Sequence, residues 1–487
     1  MRRWELAIAL DPGRGLPLFL QLAGAIADDI RAGRLKPGEP LPGSRELAAH
    51  LGVNRNTVVA GYEELMAEGL VSARQGGGTF VAMPAPLPPP PPVAAAQTPT
   101  YALLPPLPLP ALAAAPASGT LILSNGAPDA RLFPARALAR AFRRAIEQRG
   151  RALFADAHVC GHMRLRTELA SMLSRTRGLP VTPENLMVTR SIEQGIDLVA
   201  RTLIAPGDTV AVEAFGYPPA WSVLRLAGAR LEPIAVDSDG LDVDALEALL
   251  ARQAIRAVFL TPHHQFPTTT VMSPARRAQL AKLALTHGFA IIEDDYDHEF
   301  HYQGKPILPI AAGPGRANTV YVGSLANLLA PGVSTGFVAA PASVFARLQS
   351  MRAASDARGD AAMECAVAEL FEDGEWLRHV RRMVRVYAGR RDALASALTR
   401  HLGGALSFHL PEGGMGLWAR ADEGIDVARW AHAAERDGVR FFDASRYDFH
   451  QRAQPFMRLC FSYHDEAELD EAVRRMAAAL PNGGRMH

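Results

Sequence analysis

The segment that most constrains this chain is residues 84–118, PAPLPPPPPVAAAQTPTYALLPPLPLPALAAAPAS. Repeated proline removes backbone donors and fixes φ, so the segment favours extended polyproline II over helix or strand. At ~3.1 Å per residue it reaches on the order of 100 Å. Such a stretch cannot be the inside of a domain. It divides the 487 residues into a head, 1–83, a linker, 84–118, and a body, 119–487.

Composition bounds what the two parts can do. Apolar content of 48% and charged content of 21% describe an ordinary globular chain. A net charge of +1 gives no whole-chain attraction to nucleic acid or membrane, so any basic surface is local. Cys160, Cys365 and Cys460 are far apart, form no metal or redox pair, and fit a reducing compartment. The N-terminal apolar run is broken by Asp11 and Pro12, too early for a signal-peptide core, and no downstream run is long enough for a bilayer span. The chain reads as cytoplasmic, with no membrane partner. Its lysines are only Lys36, Lys282 and Lys305, which leaves few candidates for amine chemistry.

In the head, Phe19, Leu22, Ile26 and Ile30 recur at helical spacing within 16–33. Ser44 is the expected N-cap of a second helix, with Leu47, Ala48 and Leu51 on one face and Gly52 ending it. Asn54 is the expected cap of a third, with Val58, Tyr62, Leu65 and Met66 inward. Two short apolar strand pieces then flank RQGGG, a hairpin tip whose backbone can approach another surface closely. The string LPGSRELAAHLGVNRNTVVAGYEELMAEGLVSARQGGGTFV resembles the GntR-type winged helix-turn-helix over its whole length. That resemblance implies contact with duplex DNA by Arg45 and Arg55, with Asn56 and Thr57 beside them, and by the Gly76, Gly77 and Gly78 tip.

From residue 119 short apolar runs alternate with amphipathic helical stretches, the mark of an α/β fold. The clearest strand candidates are 186–189, 209–214, 257–262, 289–295, 319–324 and 336–341. This body resembles the fold-type I, pyridoxal-phosphate-dependent aminotransferases, and joined to the head it resembles the MocR/GabR class of regulators. The resemblance implies an obligate homodimer and a role for each cofactor contact. Asp294, in IIEDDYDHEF, would pair with the pyridine nitrogen and Tyr296 with the ring hydroxyl. Tyr217, in VEAFGYPPA, would stack on the ring, and Arg458, in MRLCFSY, would hold a ligand carboxylate.

The resemblance fails where the chemistry is decided. In GSLANLLAPGVSTGF, Asn327 stands in place of the Schiff-base lysine, and an amide nitrogen is not a nucleophile. Ser334 replaces a phosphate-binding Arg, with Thr335 after it, and the phosphate loop reads Arg190-Ser191-Ile192-Glu193-Gln194. Glu193 would repel a phosphate and Arg190 would offset part of that, while Thr269 fills a glycine position in the HQFPTG turn. Three readings stand. One is a regulator with a sensing or dimerising body, an unknown small-molecule effector, no catalytic residue, no metal and no covalent cofactor. The second binds pyridoxal phosphate non-covalently through Asp294, Tyr296 and Tyr217. The third is an aminotransferase with a DNA-binding head.

Overall fold

The computed structural model describes residues 8–13, 15–74, 77–82, 116–124, 126–155, 158–304 and 307–481. Contacts divide the chain into two units, 1–105 and 106–487. Most of the proline-rich segment, and Gly76 of the hairpin tip, lie outside the described residues.

In the first unit, α1 (Leu18–Arg31), α2 (Ser44–Leu51) and α3 (Arg55–Ala67) precede the antiparallel pair β1 (Val71–Arg74) and β2 (Gly78–Val81). Leu22, Ile26, Leu47, Val58, Tyr62, Leu65, Val71 and Val81 form one core. Asn54 caps α3 as expected, its side chain accepting from the Asn56 amide at 2.9 Å. Two expectations fail here. The cap of α2 is Gly43, and Ser44 is the first helical residue; its hydroxyl instead accepts from Arg55 Nε at 3.3 Å, joining α2 to α3. Met66 is exposed, because the buried stripe of α3 runs through Val58, Gly61, Tyr62 and Leu65, with Gly61 against Leu22. Tyr62 donates its hydroxyl to the Pro42 carbonyl at 2.8 Å, which satisfies its one buried polar atom.

The second unit is built on a seven-stranded sheet. Its strands are β3 (Leu186–Thr189), β4 (Thr209–Glu213), β5 (Arg230–Ile234), β6 (Ala257–Leu260), β7 (Ala290–Asp295), β8 (Thr319–Ser324) and β9 (Gly336–Ala339). They lie in the order β3-β9-β8-β7-β6-β4-β5. Only β9 runs against its neighbours. Burial of nearly every residue of β3, β4, β6, β7, β8 and β9 explains why these segments read as continuous apolar runs rather than alternations. The six strand candidates correspond to these six; β5, half exposed at the sheet edge and interrupted by Pro233, carries no such run.

A second, antiparallel sheet follows, with strands β10 (Leu406–Phe408), β11 (Gly416–Ala421), β12 (Phe442–Asp443) and β13 (Phe456–Cys460) in the order β10-β11-β13-β12. No described helix is long and apolar enough to cross a membrane.

Candidate functional site

In the first unit, Arg45, Arg55 and Asn56 are exposed and Thr57 is half-buried, so the four sit on or beside the first turns of α2 and α3. Neither Arg45 nor Arg55 is in an ion pair among the described residues. Arg55 opens α3, whose first amides favour anions, and Arg45 lies in the first turn of α2, beside the Ser44 that accepts from Arg55. Gly77 and Gly78 lie exposed at the hairpin tip, and Gly78 takes φ 95°, a conformation that excludes most side chains. Arg74 beside it covers the Phe80 ring at 4.7 Å.

In the second unit, the carboxyl ends of the parallel strands open onto a cavity of about 500 Å³. This is where ligands bind in open α/β sheets. The turn after β3 supplies Ser191, Ile192 and Glu193; the segment after β4 supplies Tyr217; the turn after β6 supplies Phe266. β7 ends in Asp294 and Asp295 with Tyr296 just beyond, and Asn327 follows β8. The small sheet, with Phe442 and Arg458, and the segments beside it, with Met415, Arg446 and Tyr447, supply the rest of the lining. Asp294, Tyr296, Tyr217, Ser191, Asn327 and Arg458, which are dispersed over more than 260 positions in the sequence, therefore share one cavity.

Each has a defined neighbour. Ser191 caps the helix α4 (Ile192–Leu203), accepting from the Gln194 amide. Glu193 lies in the first turn of that helix and accepts the Tyr217 hydroxyl at 2.7 Å. Tyr217 meets the edge of Phe266 with ring centroids 5.3 Å apart. Asn327 donates to the Tyr296 carbonyl at 3.0 Å, and the Tyr296 hydroxyl donates to the His264 carbonyl at 3.0 Å. Asp294 is buried and its Oδ1 has no hydrogen-bond partner. Burial first, and then the charges of Asp295, Glu193, Glu213 and Asp297, push its carboxyl well above the usual carboxylate range. None of the residues lining this cavity is lysine; Lys282 is exposed on the helix Pro274–His287, and Lys305 lies outside the described residues.

Arg458 is the more deeply buried of the two arginines that line the cavity. It is 3% exposed, its Nη1 lies 2.7 Å from the Cys460 sulfur, its guanidinium covers Phe266 at 4.8 Å, and its Nε has no partner. Two glycines make room for it. A Cβ on Gly416 would lie 2.8 Å from Arg458 Cζ, and one on Gly126 would lie 3.3 Å from Nη1.

Arg190 and Ser334 are not brought here. Both line a separate cavity with Arg352 and Arg358, and Arg190 reaches the Arg358 carbonyl and Asp356. The expectation that Arg190 offsets Glu193 in the same cavity is corrected accordingly: α4 begins at Ile192, so the Arg190 side chain leaves the chain before the helix turns toward the cavity. Thr269 occupies a left-handed conformation, φ 64°, as a glycine position would require, and its amide donates to the Gln265 carbonyl. The sequence reading missed Phe266, Phe442, Arg446 and Tyr447. Aromatic and arginine residues in loops, turns and two-residue strands carry no spacing signal that separates a cavity wall from a core.

The aminotransferase class I and II family matches residues 119–476, and the bacterial regulatory proteins of the gntR family match residues 18–81. The probable rhizopine catabolism regulatory protein MocR of Rhizobium meliloti is 30% identical over 97% of this chain and 96% of its own length. The HTH-type transcriptional regulator TauR of Rhodobacter capsulatus is 30% identical over 97% of this chain and 98% of its own. Among solved structures, the α-aminoadipate aminotransferase LysN of Thermus thermophilus superposes with a TM-score of 0.69 at 26% identity, covering 74% of this chain and 92% of its own.

Proposed function

The chain belongs to the aminotransferase class I and II family and carries a gntR-family head, and from that premise we propose a DNA-binding transcription regulator whose body senses a small carboxylate instead of transaminating it. The head supports the first half: exposed Arg45 and Arg55 at the start of α2 and α3 suit phosphate and guanine edges of duplex DNA. A cytoplasmic location follows from that target.

The observation that carries the second half is the cavity's donor set. Family members normally hold pyridoxal phosphate, but the residues here do not fit it. Asn327 presents an amide where a Schiff-base amine belongs, and Glu193 places a carboxylate in the helix turn that would receive the phosphate. The guanidinium of Arg190 faces the other cavity, as does Ser334. Asp294, Tyr296 and Tyr217 still line the cavity where the ring would lie. What remains is a buried cation, Arg458, in an aromatic enclosure, which suits an amino or keto acid of low mass.

We assign the body a second role as a homodimerisation unit that presents two heads, since two tethered sites raise effective concentration on paired half-sites. The sensing role is tested by calorimetric titration of amino and keto acids into the full chain and into Arg458→Ala. Binding to the wild-type chain that drops by at least tenfold in Arg458→Ala is expected; carboxylate binding indifferent to Arg458→Ala, or absent altogether, overturns it.

A further inference from the structure

Behind the cavity wall lies a group of histidines that neither the fold nor the proposed sensing role uses. His263 and His264 lie in the turn after β6 and are 3% and 1% exposed. His301 follows β7 and is half-buried, paired as an isolated bridge with Gly413. One ring nitrogen from each of the three lies within 4.8 Å of those from the others. Both nitrogens of His263, both of His301 and Nε2 of His264 are buried without a hydrogen-bond partner in the protein. A buried polar atom left unpaired costs about 1–3 kcal/mol, so five of them in one place call for a common ligand.

The second layer has the form of a metal site. Asp297 Oδ1 lies 2.7 Å from His264 Nδ1, so the unpartnered Nε2 is the His264 nitrogen left free to ligate. Asp295 Oδ2 holds His298 Nδ1 at 2.8 Å, and the His298 ring stacks on His263 with centroids 4.4 Å apart. A carboxylate behind a ligating imidazole fixes its tautomer and raises its basicity. Gly413 packs against His264 so closely that a side chain there would strike the ring, and a Cβ on Gly414 would press on Asp297 Oδ2 at 3.1 Å, which shuts one side of the cluster. His301 is the least buried of the three and marks the outer edge of the cluster.

We propose that His263, His264 and His301 form a binding site for one divalent transition-metal ion of the zinc class, with Asp297 orienting His264. Three imidazoles with no thiolate nearby suit zinc, nickel, copper or iron over magnesium or calcium, and leave one tetrahedral position open. Zinc–nitrogen bonds of about 2.0–2.1 Å set tetrahedral nitrogens about 3.3 Å apart, so loading draws the three rings inward by ~1 Å. The ion ties the turn after β6 to the segment after β7, whose His301 is bridged in turn to Gly413 ahead of β11. Because the His264 carbonyl holds the Tyr296 hydroxyl, the site braces the wall of the ligand cavity.

The test uses the full chain without a histidine tag, stripped with chelator and titrated with zinc against a chromophoric competitor. One zinc per chain at sub-micromolar affinity is expected, with a rise in melting temperature on loading. Cobalt in its place gives visible d–d absorption without a thiolate band. His263→Ala and His301→Gln each weaken binding more than about tenfold, and Asp297→Asn weakens it by about 10–100-fold. His432→Ala, on an exposed histidine elsewhere, leaves it unchanged. Circular dichroism confirms that each variant is folded, and His301→Gln, at the part-exposed edge, makes the smallest structural change. No zinc retained by the wild-type chain, or equal retention by folded His263→Ala and His301→Gln, overturns the proposal.

Discussion

Tyr217 donates its hydroxyl to Glu193 Oε1 at 2.7 Å, so the anion at the N-terminal turn of α4 is supplied by the protein itself. A helix N-terminus favours negative charge by roughly 0.3–1 kcal/mol, and a ligand phosphate has to compete with Glu193 for that field.

Wild-type protein mixed with pyridoxal phosphate is therefore expected to show no Schiff-base absorbance. Asn327→Lys alone binds the cofactor weakly. Asn327→Lys with Glu193→Gln binds about one to two decades more tightly, the equivalent of one charge-assisted contact of roughly 1.5–3 kcal/mol. Absorbance titration reads all three; a visible band in the wild-type chain defeats the non-catalytic reading.

Glu213 closes β4 and accepts from both the amide and the hydroxyl of Thr261, at 3.1 and 2.9 Å. Burial raises its pKa from 4.5 to about 7. The folded state thus holds a proton that the unfolded chain has released. Its stabilisation is complete below about pH 4.5 and is lost as pH rises through about 7. Glu213→Gln keeps the acceptor for Thr261 and removes the titration. Melting temperature measured from pH 4.5 to 8 should fall less steeply with rising pH in the variant, and parallel profiles would show that Glu213 does not hold the proton.

Thr269 is a β-branched residue at φ 64°, where its Cβ crowds the backbone. The left-handed conformation costs a non-glycine residue roughly 1–2 kcal/mol, and glycine gives back part of this through unfolded-state entropy. Thr269→Gly is expected to stabilise the body by up to about 1 kcal/mol in urea unfolding. A destabilised variant would mean that the Thr269 side chain contributes more in contacts than its conformation costs.

In the head, Asn54→Ala removes the cap of α3 and should lower stability by ~1 kcal/mol. Arg55→Ala leaves the fold intact, since its one bond, to Ser44, is exposed. It should weaken operator binding by about 1–3 kcal/mol if it reads a base, and evenly across sequences if it meets phosphate. Mobility shifts on the protein's own upstream DNA separate the two cases. Equal binding by Arg55→Ala and wild type removes Arg55 from the interface.

The strands and the Asn54 cap were legible because they rest on local rules. Six buried strands read as apolar runs because both faces of the sheet are covered, and Asn54 read as a cap because its side chain has one short-range amide to satisfy. The expected loss of Schiff-base chemistry is equally local: it rests on one residue, Asn327, set in a motif. By contrast, Glu193 meets a partner 24 positions away and Arg458 carries an unpaired Nε, and neither fact leaves a trace in spacing. Ser44 fell outside its expected role for the same reason, since its hydroxyl is claimed by Arg55 from another helix. The histidines are the clearest case. His263, His264 and His301 are two sequence neighbours and one residue 37 positions on, and only the parallel pairing of β6 with β7 sets their loops side by side. Propensity and periodicity are properties of the chain over a turn or a strand, whereas a site is made where several strand ends converge, and that convergence is decided by the tertiary packing alone.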